Sequence, residues 1–537
     1  MAIPRTGAAP ASRPPRSASL LAPLAVAREL GALARRLDAE VDALPLELFR
    51  VAVGLVATAY FARLAWEAGD IVAADGLYDH ALSRDIFWFS AQPLFHTWMG
   101  AAWVRAVYAA GGLASLALAA GARARLSAAV AYLVAVCSYR YSFLVVSVDD
   151  AVVHLLLAWM ILLPVGRALG PTTLLRPTRA RLREALEVRA PGLALRLFLA
   201  NVALVYLVAG LTKWRSPLWL QGDALLAVMK LPASFWPERF SADQSWLLRP
   251  LNWAALALEP LFALLVVLPP RHVCKRALGA LLVGFHACIV LTLDVGLANV
   301  ACVALGLVLF RTELVDLARA KLGAPPRRVG RPSRAAPART PRLVAGASLA
   351  LVALLYGAMV GSALQPSWRA DAAPSDDPQA EGGGPLQRAC VTGLWILGLA
   401  QQYRLLDWID ERNYALSLHV RERDARGALR ELPAERYLPR TMRGGITLSY
   451  LLGGRWAPVP PSREEEVRAS LQTRAAARYC ARAVEDAEVE VDVTIVRVDP
   501  VRYPAARPHR HALSRFRCHS GEVRDLVPTL RPARYPG

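Results

Sequence analysis

Residues 201–223 read NVALVYLVAGLTKWRSPLWLQGD. An apolar run, Asn201 to Leu211, ends at Lys213, and a polar stretch rich in tryptophan follows. Extended back to residue 193, the run reaches the roughly 20 residues that a helix needs to cross a bilayer. The lysine at its end is unusual here. Of 63 Lys plus Arg, only Lys213, Lys230, Lys275 and Lys321 are lysines. Arginine stays protonated, whereas a desolvated lysine can give up its proton. Lys213 therefore has two readings, a cation that snorkels to the membrane surface or a base.

The rest of the chain repeats this pattern. Of the 537 residues 55% are hydrophobic and only 20% charged, and the mean hydropathy is +0.32. This composition describes a polytopic α-helical membrane protein. About nine spans are expected, near 47–66, 99–120, 126–146, 150–166, 193–213, 248–268, 276–295, 297–312 and 343–363. Residues 1–44 form a basic, disordered cytoplasmic tail without signal-peptide features. Residues 45–320 form the main membrane domain, and 321–342 a basic, Pro-rich connection before the last span. An exposed linker covers 364–388, and 389–537 form a β-rich extracytoplasmic domain. Its strand signals are YALSLHV, ITLSYLL and EVEVDVTIVRV. The apolar stretch 390–400 is too short to span and either docks on the membrane or packs in a core.

The net charge of +20 does not call for nucleic acid, because the excess sits in short connections between spans. The first connection holds Glu67, Asp70, Asp75, Asp79 and Asp85. Every second connection is basic, which places the N-terminus in the cytoplasm and the C-terminal domain outside. Membrane lipid and an exported peptide or protein are the expected partners. The seven cysteines form no metal spacing, and no metal is expected. Cys137, Cys288 and Cys302 sit in apolar runs as core thiols. Pairing among Cys390, Cys480 and Cys518 is open, Cys480 with Cys518 being one choice. Phosphate-loop, GxSxG, HExxH and haem motifs are absent.

Polar residues inside spans are the candidate site. Gly210, Ala209 and Tyr206 share the helical face of Lys213, and small residues there let a second helix approach and desolvate the amine. His286 lies well inside span seven, as a bonded core histidine or a functional one. Glu259 lies mid-span beside Pro260, where a helix-to-helix hydrogen bond competes with a functional role. Asp149 and Asp150 start span four, where helix capping explains them, or they face Lys213. Arg50 fits a snorkelling cation, whereas Arg105 has no evident partner. Trp214 and Trp219 fit an interfacial belt or the walls of a flat apolar ligand site.

Several of these residues together resemble the HTTM (horizontally transferred transmembrane) domain family, which includes relatives of vitamin K-dependent gamma-carboxylase. They are Leu48 through Gly54 in the first helix, Gln92-Pro93-Leu94 with Trp98-Met99, and Tyr206-x-x-Ala209-Gly210-x-x-Lys213 with Trp219 and Gly222. Phe285-His286 with Gly296, and Gln401-Gln402-Tyr403, complete the likeness over about residues 45–420. The resemblance implies a carbon–carbon lyase-type carboxylase that uses a reduced, vitamin K-like quinone. Lys213 would be the general base, His286 a companion, Tyr206, Trp214 and Trp219 quinone contacts, and Asp149, Asp150 and Glu259 assisting groups. This chain has Val148-Asp149-Asp150 where the carboxylase has Asn-Asn-His, and a carboxylate there would favour a protonated lysine. Two other classes remain open: a non-enzymatic scaffold or maturation factor for an exported partner, and a transporter using Glu259 and His286.

Overall fold

The computed structural model describes residues 36–230, 234–236, 239–294, 296–325, 339–364, 384–399, 414–423, 426–438, 459, 461–483, 487–497 and 509–528. The tail 1–35, most of the basic connection, the linker 365–383, Gln401-Gln402-Tyr403 and the ITLSYLL stretch lie outside the described residues.

The main helices are α1 (Ala43–Glu67), α2 (Ala101–Ala120), α3 (Ala124–Tyr141), α4 (Val148–Leu162), α5 (Leu193–Lys213), α6 (Ser245–Leu261) and α7 (Val273–Thr292). They continue with α8 (Ala298–Ala304), α9 (Arg311–Leu322), α10 (Arg342–Leu364), α11 (Pro385–Ile396) and α12 (Glu464–Cys480). Among the described residues, five segments are long and apolar enough to cross a membrane: 43–72, 101–120, 193–213, 273–292 and 342–359. The fold is thus a helical bundle suited to membrane insertion, with a separate β-sheet region. Of the other expected spans, α3 is long enough but less apolar, and the rest hold shorter or broken helices. Segment 297–312, for example, breaks into α8 and a turn at Gly306–Leu309.

Close helix contacts follow from small residues. A Cβ on Gly54 would meet the Ala119 backbone nitrogen at 2.6 Å, so α1 and α2 cross there. Arg50, on the same face of α1, is fully buried. It pairs with Glu47 at 2.7 Å and donates to the carbonyls of Leu118, Ala119 and Leu169. The snorkelling reading of Arg50 is therefore wrong, because its head is enclosed by the α2 C-terminus, where carbonyls lack helical partners. Arg105 is exposed and donates to the Ala65 carbonyl at 3.3 Å. Cys137 is a buried core thiol, but Cys288 is exposed. An apolar run does not distinguish a protein-facing from an outward-facing position.

β1 (Val41–Asp42) pairs with β2 (Arg189–Ala190). The C-terminal sheet is antiparallel, in the order β4 (Leu429–Leu432), β3 (Tyr414–Arg423), β5 (Glu488–Arg497), β6 (His509–His519), β7 (Glu522–Pro528). Two of the three strand signals coincide with β3 and β5. Cys480 and Cys518 form a disulfide, while Cys390 is buried against Gly357. α12 was not anticipated. Its signals are Glu464-Glu465-Glu466 in the first turn and Arg478 in the last, which suit the helix dipole. Val467, Leu471, Ala475 and Tyr479 recur every fourth residue and are buried. Tyr479 meets Phe516 of the sheet edge-on at 5.7 Å.

The adjacent row of α12, Ser470, Arg474 and Arg478, docks on the acidic connection between α1 and α2. Arg478 binds the Asp70 carboxylate and the Gly69 carbonyl, Ser470 donates to Asp79 at 2.7 Å, and Arg463 pairs with Asp85 at 2.6 Å. Burial would raise the Asp79 carboxyl, but the Leu82 and Ala81 amides, Ser470 and Arg474 outweigh it and hold the group below its ordinary value. α11 packs in the bundle, inserting Trp395 between Phe89 and Phe143. Tyr132 and His154 then bind the carbonyls of Leu397 and Gly398 that follow.

Candidate active site

Lys213 ends α5, yet it does not reach a surface. A Cβ on Gly210 would lie 2.5 Å from Pro260 Cδ. Only glycine lets α6 pass this close, and the crossing brings Glu259 opposite Lys213. The Nζ–Oε2 distance is 2.6 Å, with side chains 3% and 7% exposed. Glu259 is fourteen residues into α6, or about 21 Å along the helix. The helix therefore continues well beyond the pair, and the segment after Lys213 folds back along it. Two short helices, Pro217–Gln221 and Ala224–Met229, form this cover. Asn252 of α6 clips both, donating to the Trp219 carbonyl at 2.8 Å and accepting from the Leu225 amide at 3.1 Å. Arg249 adds a 3.0 Å bond to Asp223. The Trp219 ring covers the ammonium at 5.4 Å, a favourable cation–π contact. Trp214 donates to the Leu256 carbonyl at 2.8 Å and keeps half its surface exposed.

One level down, Tyr206 of α5 and His286 of α7 form a hydrogen bond, and His286 Nδ1 meets Asn299 Oδ1 at 2.7 Å. A carbonyl oxygen at Nδ1 selects the tautomer with its proton there, so Nε2 accepts from the Tyr206 hydroxyl. Lys213 lies within electrostatic range of His286, and Glu259 of Tyr206. The four form one cluster across α5, α6 and α7. A narrow apolar crevice of about 10 Å³ lies beside Tyr206, lined by Leu199, Val202, Phe262, Leu282 and Leu305 among others.

Asp149 and Asp150 stand apart from Lys213. Asp150 forms a capping box with Ser147 at the start of α4 and accepts from Tyr60 at 2.5 Å. Asp149 accepts from the Ala298 amide at 2.7 Å, at the start of α8. Gly296, at φ +76°, leaves room for that carboxylate. Asp149 thus anchors the helix whose next residue, Asn299, orients His286. Asn252 and Asn299 were missed in the sequence. Both are polar residues in apolar helices, a signal that was readable, but neither shows its partner without the fold.

The arrangement is a buried lysine–carboxylate pair, dry and roofed by tryptophan, beside a hydrogen-bonded tyrosine–histidine pair. It can hold, share and transfer a proton out of contact with water. Among the described residues no group of three or more metal-ligating side chains occurs. Compared with family models, curated proteins and solved structures, the chain matches none.

Proposed function

We propose that the chain is an integral membrane enzyme of the vitamin K-dependent gamma-carboxylase type, in which Lys213 is the general base. The observation that supports this most is the buried Lys213–Glu259 pair. The pair sets Nζ 2.6 Å from a carboxylate acceptor in a buried site, so a proton has a short path between the two groups. In this reading Nζ passes its proton to Glu259 and acts with the lone pair so freed. A substrate hydroxyl brought to Nζ loses its proton to that lone pair, and the ammonium formed stabilises the oxyanion.

This reading implies a reduced quinone, and the crevice of about 10 Å³ must widen to admit its ring. The crevice walls are apolar and include Tyr206, whose hydroxyl is bonded to His286. Such a quinol, when bound, would supply an acidic hydroxyl and reducing equivalents. Tyr206 and His286 would orient it, and Trp219 would keep water from Nζ. Peptide or protein substrates would arrive from the side of the C-terminal domain.

We further read nine spans, a cytoplasmic N-terminus and an extracytoplasmic C-terminal domain. Three observations support this topology: the alternation of basic connections, a disulfide of the kind that persists in oxidising compartments, and the docking of α12 on the acidic first connection.

The test has two arms. A lipid extract of the purified protein should contain a redox-active quinone. Lys213→Arg keeps the charge but removes the base, and should abolish quinol-dependent turnover in a protein that still folds. Full activity in Lys213→Arg would sink the proposal. Function retained in Lys213→Ala but lost on deleting 390–537 would instead favour a scaffold.

A further inference from the structure

Lys213 is 3% exposed, so a substrate reaches Nζ only if the cover over it opens. The side chains that hold the cover come from one turn of α6. Asn252, fully buried, binds the Trp219 carbonyl at 2.8 Å and the Leu225 amide at 3.1 Å, and so joins both short helices. Arg249 binds Asp223 at 3.0 Å, and Trp253 donates to the Leu220 carbonyl at 3.1 Å. The apolar residues of the cover, among them Leu218, Trp219, Ala224 and Val228, belong to a small cluster separate from the main core of the bundle. The cover can therefore lift at a smaller cost than unpacking the bundle. Gly222 joins its two short helices at φ +88°, a conformation that side chains other than glycine's rarely allow.

The seam between the cover and α6 is apolar on its outer side. Leu220, Trp253 and Trp214 keep 54%, 48% and 49% of their surface exposed. The indole nitrogens of both tryptophans are nevertheless bonded inside the protein, to the Leu220 and Leu256 carbonyls. What they present outward is ring and aliphatic surface, which suits the lipid side of a membrane boundary.

We propose that residues 217–229 form a gate latched by Asn252, through which an apolar substrate dissolved in the bilayer reaches Lys213 from the side. This rests on the reading of Lys213 as the general base and adds the route of entry.

The chain holds four lysines, Lys213, Lys230, Lys275 and Lys321, so amine labelling reads the gate without any turnover. The full-length protein in lipid nanodiscs, which leave both faces accessible, would be treated with phenyl isothiocyanate or with its charged 4-sulfophenyl form. Modification of each lysine would be followed by peptide mass spectrometry, with the exposed Lys321 as the reference and the buried Lys275 as a control. Asn252→Ala should raise Lys213 labelling by phenyl isothiocyanate about 10-fold, the effect of two lost hydrogen bonds on the opening equilibrium. Lys275 should not change, and the charged reagent should label Lys213 far less than the apolar one. If Asn252→Ala does not fold, Trp253→Phe, which removes the bond to the Leu220 carbonyl, should raise Lys213 labelling about 3-fold. Equal Lys213 labelling in wild type and variant, or an equal rise at Lys275, overturns the gate and leaves the base to be judged by Lys213→Arg. Equal labelling by both reagents overturns the lateral route in favour of an opening to water.

Discussion

Among the described residues, two ion pairs of the bundle are buried on both sides, and they are built differently. Arg50 and Glu47 lie three residues apart on α1, both fully enclosed. The guanidinium also binds three carbonyls, and Glu47 Oε1 accepts from the Arg167 and Ala168 amides at 2.6 and 3.1 Å. Nearly every hydrogen-bonding position is occupied, so the pair works as a clamp joining three chain segments. Lys213 and Glu259 come from different helices, and between them they make one short bond under an aromatic ring. Their remaining capacity for hydrogen bonds is what a substrate or a moving proton requires. The first pair is saturated and the second keeps spare capacity, and the proposed role for Lys213 draws on that difference.

The strongest way to break this comparison is Lys213→Arg. A positioned base contributes about 10²–10⁴-fold to rate, so turnover with reduced quinone should fall by that factor while thermal unfolding stays near wild type. Arg50→Met should do the reverse. It leaves Glu47 buried without its cation, at a cost of about 3–5 kcal/mol, measured by denaturant unfolding, with normal specific activity in the molecules that remain folded. Equal loss of activity in both variants would erase the distinction.

His80 extends the comparison to a buried group without a charged partner. Burial pushes it down to about 4 from 6.5, against hydrogen bonds to the Val72 and Tyr141 carbonyls, with Arg474 and Asp79 as its charged neighbours. The folded state keeps it neutral, while the unfolded chain protonates near 6.5. Stability should therefore fall by up to about 3 kcal/mol as pH drops from 6.5 to 4, and His80→Asn should flatten that part of the unfolding profile. Gly210→Ala tests the crossing itself. Its Cβ would strike Pro260, costing about 1–3 kcal/mol, and the separation of Lys213 from Glu259 should lower turnover beyond the loss of stability. The smallest effect belongs to Arg271 and Asp316, 62% and 53% exposed. Arg271→Gln should change stability by less than about 0.5 kcal/mol, a baseline against which both buried pairs can be read.

The sequence led to Lys213 by composition and to Gly210 by helical spacing, and the structure shows that glycine's role as a contact with Pro260. It also located β3, β5 and the capping role of Asp150, because periodicity and capping are local. It misled on Arg50, since a span boundary says nothing about which carbonyls lie across it. It offered Asp149 and Asp150 as groups that could face Lys213 and did not pair Glu259 with it. Asp149 and Asp150 matched the position of a family motif, yet they bind Ser147, Tyr60 and the start of α8.

Hydropathy and charge along the chain determined the class of the protein, a set of membrane-length helices and a separate strand-rich region, because each segment's preference for lipid or water depends on its own residues. Only the tertiary structure decided the depth of Lys213 and the identity of its partner. Lys213 and Glu259 are 46 residues apart, and they meet because a glycine without a Cβ lets α6 cross α5 at Pro260 and a folded-back segment closes over them.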